Sequence, residues 1–113
     1  AVEALGVLTD RAHRLALSPG SIIQATGKKL EVEIDVIKGP KRERQIVLAR
    51  HVAMLLMRDE TSLSLAAIGR ELGNRNHATV SHACAHIQAE LQDNPRLLRQ
   101  VQEIRETLYR LSS

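Results

Sequence analysis

The segment RQIVLARHVAMLLMR, residues 44–58, most constrains what this chain can become. At helical spacing it is apolar around most of its circumference, while its polar residues Arg44, His51 and Arg58 recur at intervals of seven. Such a helix is covered by neighbours on nearly every side, and the three polar residues are expected to form one exposed stripe. In 113 residues that covering amounts to one small domain. Its core must be aliphatic, because the chain has no Trp, no Phe and a single Tyr, Tyr109. No run alternates long enough to argue for a sheet, so the spacing predicts an all-α fold, a compact helical bundle.

The remaining elements follow from apolar spacing and stop signals. Val2, Leu5, Leu8, Ala12, Leu15 and Ala16 form one stripe and predict an N-terminal helix over 2–17. Ser18-Pro19 restarts the chain as N-cap and first helical residue, ahead of a helix ending near Gly27 or Lys28. A short turn of helix is expected around Glu33 to Ile37, and Gly39-Pro40 opens a loop. Thr61-Ser62 closes the central helix, and Ser64 caps a shorter one with Leu65, Ile68 and Leu72 inward and Gly73 as its stop. A helix from Asn76 buries Val80, Ala83, Cys84, Ile87 and Leu91, leaving His77, Thr79, Ser81, His82 and Ala85 outward. Asn94-Pro95 caps the last, with Leu97, Leu98, Val101, Ile104, Leu108 and Leu111 at core spacing.

Charge is uneven along the chain. Residues 38–58 hold six basic residues, Lys38, Lys41, Arg42, Arg44, Arg50 and Arg58, against the one acid Glu43, while the rest holds ten basic and twelve acidic. Positive potential concentrated on a small helical domain favours a phosphate-bearing partner, either nucleic acid or an anionic membrane surface; a solvated charged loop is the alternative. The lone Cys84 excludes an intrachain disulfide, and no apolar run approaches the ~20 residues of a membrane span. No secretory signal pattern opens the sequence, and the expectation is a soluble, intracellular protein.

Residues 64–91 have the layout of a helix-turn-helix: a short capped helix, a tight turn through Gly73-Asn74-Arg75, and a helix whose first turn carries short polar side chains. Asn76, His77, Ala78 and Thr79 are small enough for close approach to base edges, and the free N–H groups of that turn suit a phosphate. Periodicity alone leaves an ordinary helical hairpin with a polar surface equally open.

The stretch GRELGNRNHATVSHAC, residues 69–84, is similar to a pattern that reads approximately G-x-x-[FL]-G-G-R-D-H-T-T-V-x-H-A. With RERQIVLARHVAMLLMRDETSLSLAAIG and SIIQATGKKLEV in the same order upstream, the chain from Ser18 onward resembles the DNA-binding domain IV of the DnaA family of bacterial replication initiators. The resemblance implies a Trp-repressor-like helix-turn-helix domain over 18–113, with 1–17 as the end of the preceding ATPase module or its linker. It implies double-stranded DNA at an origin box as the partner, with the ATPase module of the same initiator, and a cytoplasmic, nucleoid-associated location. It puts Arg75, Asn76, His77, Ala78 and Thr79 at the major groove and Arg42 in the adjacent minor groove. Lys41, Arg44, Arg50 and Arg58 fall on the DNA backbone. Three residues depart from the pattern: Asn76 replaces Asp, Ala78 replaces the first Thr, and Asn74 replaces the second Gly. Asn can donate as well as accept, so base preference at Asn76 is expected to differ.

No Gly-rich phosphate loop ending in Lys-Ser or Lys-Thr is present, no cofactor is expected, and the domain reads as a binding module rather than an enzyme. His82 and His86 share a helical face, but two ligands do not make a zinc site, and Cys84 lies opposite. The competing readings are a helix-turn-helix transcriptional regulator on a palindromic operator and a basic domain on acidic phospholipids.

Overall fold

A computed structural model of the chain describes residues 17–112, within which six helices and no strands occur. The expected stripe from Val2 to Ala16 lies outside the described residues, as does the side chain of Leu111. Leu17, assigned by sequence to the preceding stretch, is buried with the core.

Helix α1 spans Pro19–Leu30. Ser18 Oγ accepts from the Ser21 amide at 3.1 Å and Ser21 Oγ from the Ser18 amide at 3.2 Å, a reciprocal cap that satisfies two otherwise orphaned donors. The helix runs past the expected stop at Gly27. That glycine serves a close approach instead: a Cβ there would lie 2.5 Å from the Val32 carbonyl oxygen, where the chain folds back and the Val32 amide donates to Gly27 O. Glu31, at φ 61°, makes the reversal. Helix α2, Ile34–Lys38, is a single short element that seats Ile37 in the core.

Helix α3, Arg44–Glu60, is the central one, and α1, α2, α4 and α5 all pack against it. Ala49 and every residue from Val52 to Met57 are buried, as expected for a helix apolar on most sides. The expected outward stripe is only partly exposed: Arg44 is open to solvent, while His51 and Arg58 are half-buried because α5 and α6 approach that side.

Ser64 Oγ accepts from the Ala67 amide and starts α4, Leu65–Glu71; Asn76 Oδ1 accepts from the Thr79 amide at 2.8 Å and starts α5, His77–Asp93. Asn94 Oδ1 caps α6, Pro95–Ser112, through the Leu97 amide. Helix α6 closes the bundle against α1 and α5 with Leu97, Val101, Ile104 and Leu108. Leu98, expected in that core, is 38% exposed because it stands one position, about 100° of helical rotation, from the buried stripe.

Candidate nucleic-acid interface

The turn between α4 and α5 is fixed by close backbone approach. A Cβ on Gly69 would fall 1.8 Å from the Arg75 carbonyl oxygen, so only glycine lets the turn lie against α4, where the Arg75 amide donates to Gly69 O at 2.9 Å. Gly73 and Asn74 take φ of +85° and 60°, the left-handed region that glycine and asparagine tolerate. The turn also meets the end of α2, just before the basic loop, since a Cβ on Gly73 would lie 2.3 Å from Lys38 O.

Two arginines join that loop to the helix-turn-helix. Arg50, on α3 and only 5% exposed, donates from Nε to Ile37 O at 2.8 Å and from one terminal nitrogen to the carbonyls of Gly39 at 2.8 Å and Lys41 at 2.9 Å. Arg75 donates to Leu72 O and, at 2.8 Å, to Gly39 O. Burial holds both guanidinium groups below their ordinary pKa, and for Arg50 the nearby Arg75 charge adds to the effect.

Two residues expected at the DNA, Arg50 at the backbone and Arg75 at the major groove, thus direct several of their donors onto backbone carbonyls of the fold itself; Arg50 is buried and Arg75 half-buried. Sequence carried a signal for Arg50: it stands one residue off the Arg44–His51–Arg58 stripe and on the same face as Ala53, Met54 and Met57, all buried. Arg75 gave no comparable signal, since its partner Gly39 lies 36 residues away.

Of the other expected residues, those at the start of α5 and those of the basic loop adjoin one another, while Arg58 stands apart at the C-terminal end of α3. Asn76, His77, Ala78, Thr79, Ser81 and His82 are exposed along the opening turns of α5. A surface groove of about 580 Å³ is lined by Asn76, Ala78, Thr79, His82, His86 and His51. A second, of about 500 Å³, runs from His51 and His86 to Arg42 and Arg44 along Val47, Leu48 and Glu90. His51 and His86 wall both, so the surface at the start of α5 and the basic loop are continuous. Lys41 and Arg42 are exposed, and Arg44, its side chain 87% accessible, reaches Glu90 at only 3.4 Å. Asn76 has Oδ1 committed to the cap, which leaves its amide nitrogen as the group available to a ligand.

Sequence reasoning read His51 as an exposed residue and missed its partner. Its ring meets His86 edge to face at a centroid distance of 5.8 Å. Burial lowers the His51 pKa, His86 and Arg50 lower it further, and Glu90 partly opposes them. Cys84 is buried, and desolvation raises its thiol pKa, as for an inert core residue rather than a nucleophile. Among the described residues no three His, Cys, Asp or Glu side chains gather as metal ligands, and no helix is long and apolar enough to cross a membrane.

The family model described as bacterial dnaA protein helix-turn-helix matches residues 19–87. Similar proteins include the chromosomal replication initiator protein DnaA of Thermomicrobium roseum, 39% identical over 109 residues covering 96% of this chain and 23% of that one. The same protein of Roseiflexus castenholzii is 40% identical over 108 residues, 96% of this chain and 22% of that one, and that of Bifidobacterium animalis subsp. lactis is 42% identical over 88 residues, 78% and 15%. The chain thus spans about a quarter or less of the length of these relatives. The match runs from the first residue of α1 through the turn and into α5, the elements that build the face described above, and the chain belongs to the bacterial DnaA helix-turn-helix family.

Proposed function

We propose that this chain is a sequence-specific double-stranded DNA-binding domain that holds a DnaA box at a replication origin. The observation that carries the reading is the single continuous face running from the exposed first turns of α5 to the arginines of the basic loop. His77, Ala78 and Thr79 read base edges in the major groove, and the Asn76 amide nitrogen adds a donor where the family pattern has an acid. Arg42 enters the adjacent minor groove, whose narrow A·T-rich form attracts a guanidinium. Lys41, Arg44 and Arg58 contact phosphates, which fixes register without reading sequence. Arg50 and Arg75 hold the loop at a set distance from α5, so both contacts are made by one rigid body. In the longer protein the domain serves to anchor the ATPase module of the same initiator to the origin.

The test is fluorescence anisotropy of a labelled duplex carrying a DnaA box beside a scrambled duplex at near-physiological salt. The expected preference is about a thousandfold or more. Equal, steeply salt-dependent binding to both duplexes overturns sequence-specific recognition, and tighter binding to acidic vesicles than to either duplex favours a lipid partner instead.

A further inference from the structure

The C-terminal end of α3 carries a carboxylate shared between two arginines from different helices. Asp59 Oδ1 accepts from Arg58 Nε at 3.1 Å, and Asp59 Oδ2 accepts from a terminal nitrogen of Arg105, on α6, at 3.2 Å. Arg105 Nε also lies 3.3 Å from Glu60 Oε1, and the Tyr109 hydroxyl donates to Glu60 Oε2 at 3.0 Å. The side chains of Arg58, Asp59 and Arg105 are each about one-third exposed, so the group is reachable from solvent without being fully screened.

A phosphate approaching Arg58 meets two neighbouring carboxylates, and their repulsion opposes the contact. Arg105 is placed between Asp59 and Glu60 and offsets that repulsion. It also holds Asp59 so that the carboxylate takes the Nε–H of Arg58 and leaves the terminal guanidinium nitrogens for a phosphate. We propose that Arg105 is a positioning residue for the DNA-backbone contact of Arg58, which makes α6 part of the binding machinery although it lies outside the helix-turn-helix. The inference rests on the proposed function, in which Arg58 meets a phosphate.

The experiment uses the whole chain, a DnaA-box duplex and a scrambled duplex in an anisotropy salt series, with a thermal melt of every variant. Arg105→Ala should weaken both duplexes by about fivefold and lower the salt slope by about one, as Arg58→Ala does. The double variant Arg58→Ala/Arg105→Ala should bind no more weakly than Arg58→Ala alone, since both act on one contact. Asp59→Asn should restore affinity to Arg105→Ala by removing the charge that Arg105 offsets. A purely structural role for Arg105 predicts otherwise: additive losses in the double variant, no rescue by Asp59→Asn, or a loss of affinity that only tracks the melting temperature, and any of these overturns the proposal. A wild-type chain that binds neither duplex overturns the proposed function, and the inference falls with it.

Discussion

Arg50 and Arg75 donate to the same oxygen, the carbonyl of Gly39, each at 2.8 Å. One guanidinium comes from the central helix and the other from the turn of the helix-turn-helix, and between them they fix the first residue of the basic loop. Two like charges are tolerated side by side because carbonyl dipoles of Val36, Ile37, Gly39, Lys41 and Leu72 accept from them. The loop is thereby tied to the turn that opens α5 by side chains that themselves need not touch a ligand.

Replacing Arg50 tests that role. Arg50→Ala should lower unfolding free energy by about 2–4 kcal/mol, because it strands several carbonyls in a partly buried place. Arg50→Lys should recover little, since an ammonium cannot reproduce the planar fork that spans Ile37 O and Gly39 O. Urea denaturation measures both. Unchanged stability combined with lost DNA affinity would return Arg50 to the phosphate-contact role.

Gly69→Ala should be more damaging than its size suggests. The added methyl would overlap the Arg75 carbonyl, and the obstacle is backbone rather than a movable side chain. A loss above about 3 kcal/mol is expected, with α4 and α5 forced apart. Circular dichroism with a thermal melt reads it; a variant as stable as wild type would mean that the turn has a second accommodating arrangement.

Asn76 offers a separation of stability from recognition. Asn76→Ala removes the cap on α5 and should cost about 1 kcal/mol, whereas Asn76→Asp keeps an acceptor for the Thr79 amide and adds a charge that suits a helix N-terminus. In DNA binding the aspartate should restore the base preference of the family pattern, a shift of about 1–3 kcal/mol between duplexes differing at the facing base pair. Anisotropy with paired duplexes measures it, and an identical ranking for Asn and Asp would remove Asn76 from the readout.

Arg42→Ala should reduce affinity and erase preference for an A·T-rich segment beside the major-groove contacts, without changing stability, because its side chain is exposed. His77→Ala should relax discrimination at one base by about 1–3 kcal/mol. A loss of equal size on every sequence would instead mark either residue as a phosphate contact.

How far sequence carried each part depends on the range of the interaction. Capping at Ser18, Ser64 and Asn94 is written within three residues, and these three caps form where the sequence puts them, while the structure adds Asn76 as the cap of α5. The expected stop at Gly27 missed because a glycine looks the same whether it ends a helix or admits a passing carbonyl. The exposed face of α5 is legible from periodicity, and so is the buried side of α3 on which Arg50 stands, yet the carbonyl partners of Arg50 and Arg75 are not. Resemblance assigns a role to a position, while the carbonyls that claim a guanidinium are set by packing between α2, α3 and the turn.

A pH dependence follows from His51. Its pKa in the folded chain is lowered from the ordinary 6.5, so the unfolded chain takes up a proton more readily. The contribution of His51 to stability is therefore complete above about pH 6.5 and is lost as pH falls through the unfolded and then the folded pKa. The urea midpoint should drop between pH 7.5 and 5.5, and His51→Gln should show a smaller drop. A drop of the same size in both proteins would assign the effect to other groups.

The shared Gly39 carbonyl has one more consequence. When two probes are mounted on the same anchor they form a calliper, and a calliper measures spacing as well as touching surfaces. On the proposed reading the span from Arg42 to Thr79 is preset, so a duplex is judged by the distance between two neighbouring grooves as much as by the bases within them. One base pair inserted between the two contacts, about 3.4 Å along the axis, would leave every preferred base in place and still present the wrong ruler mark.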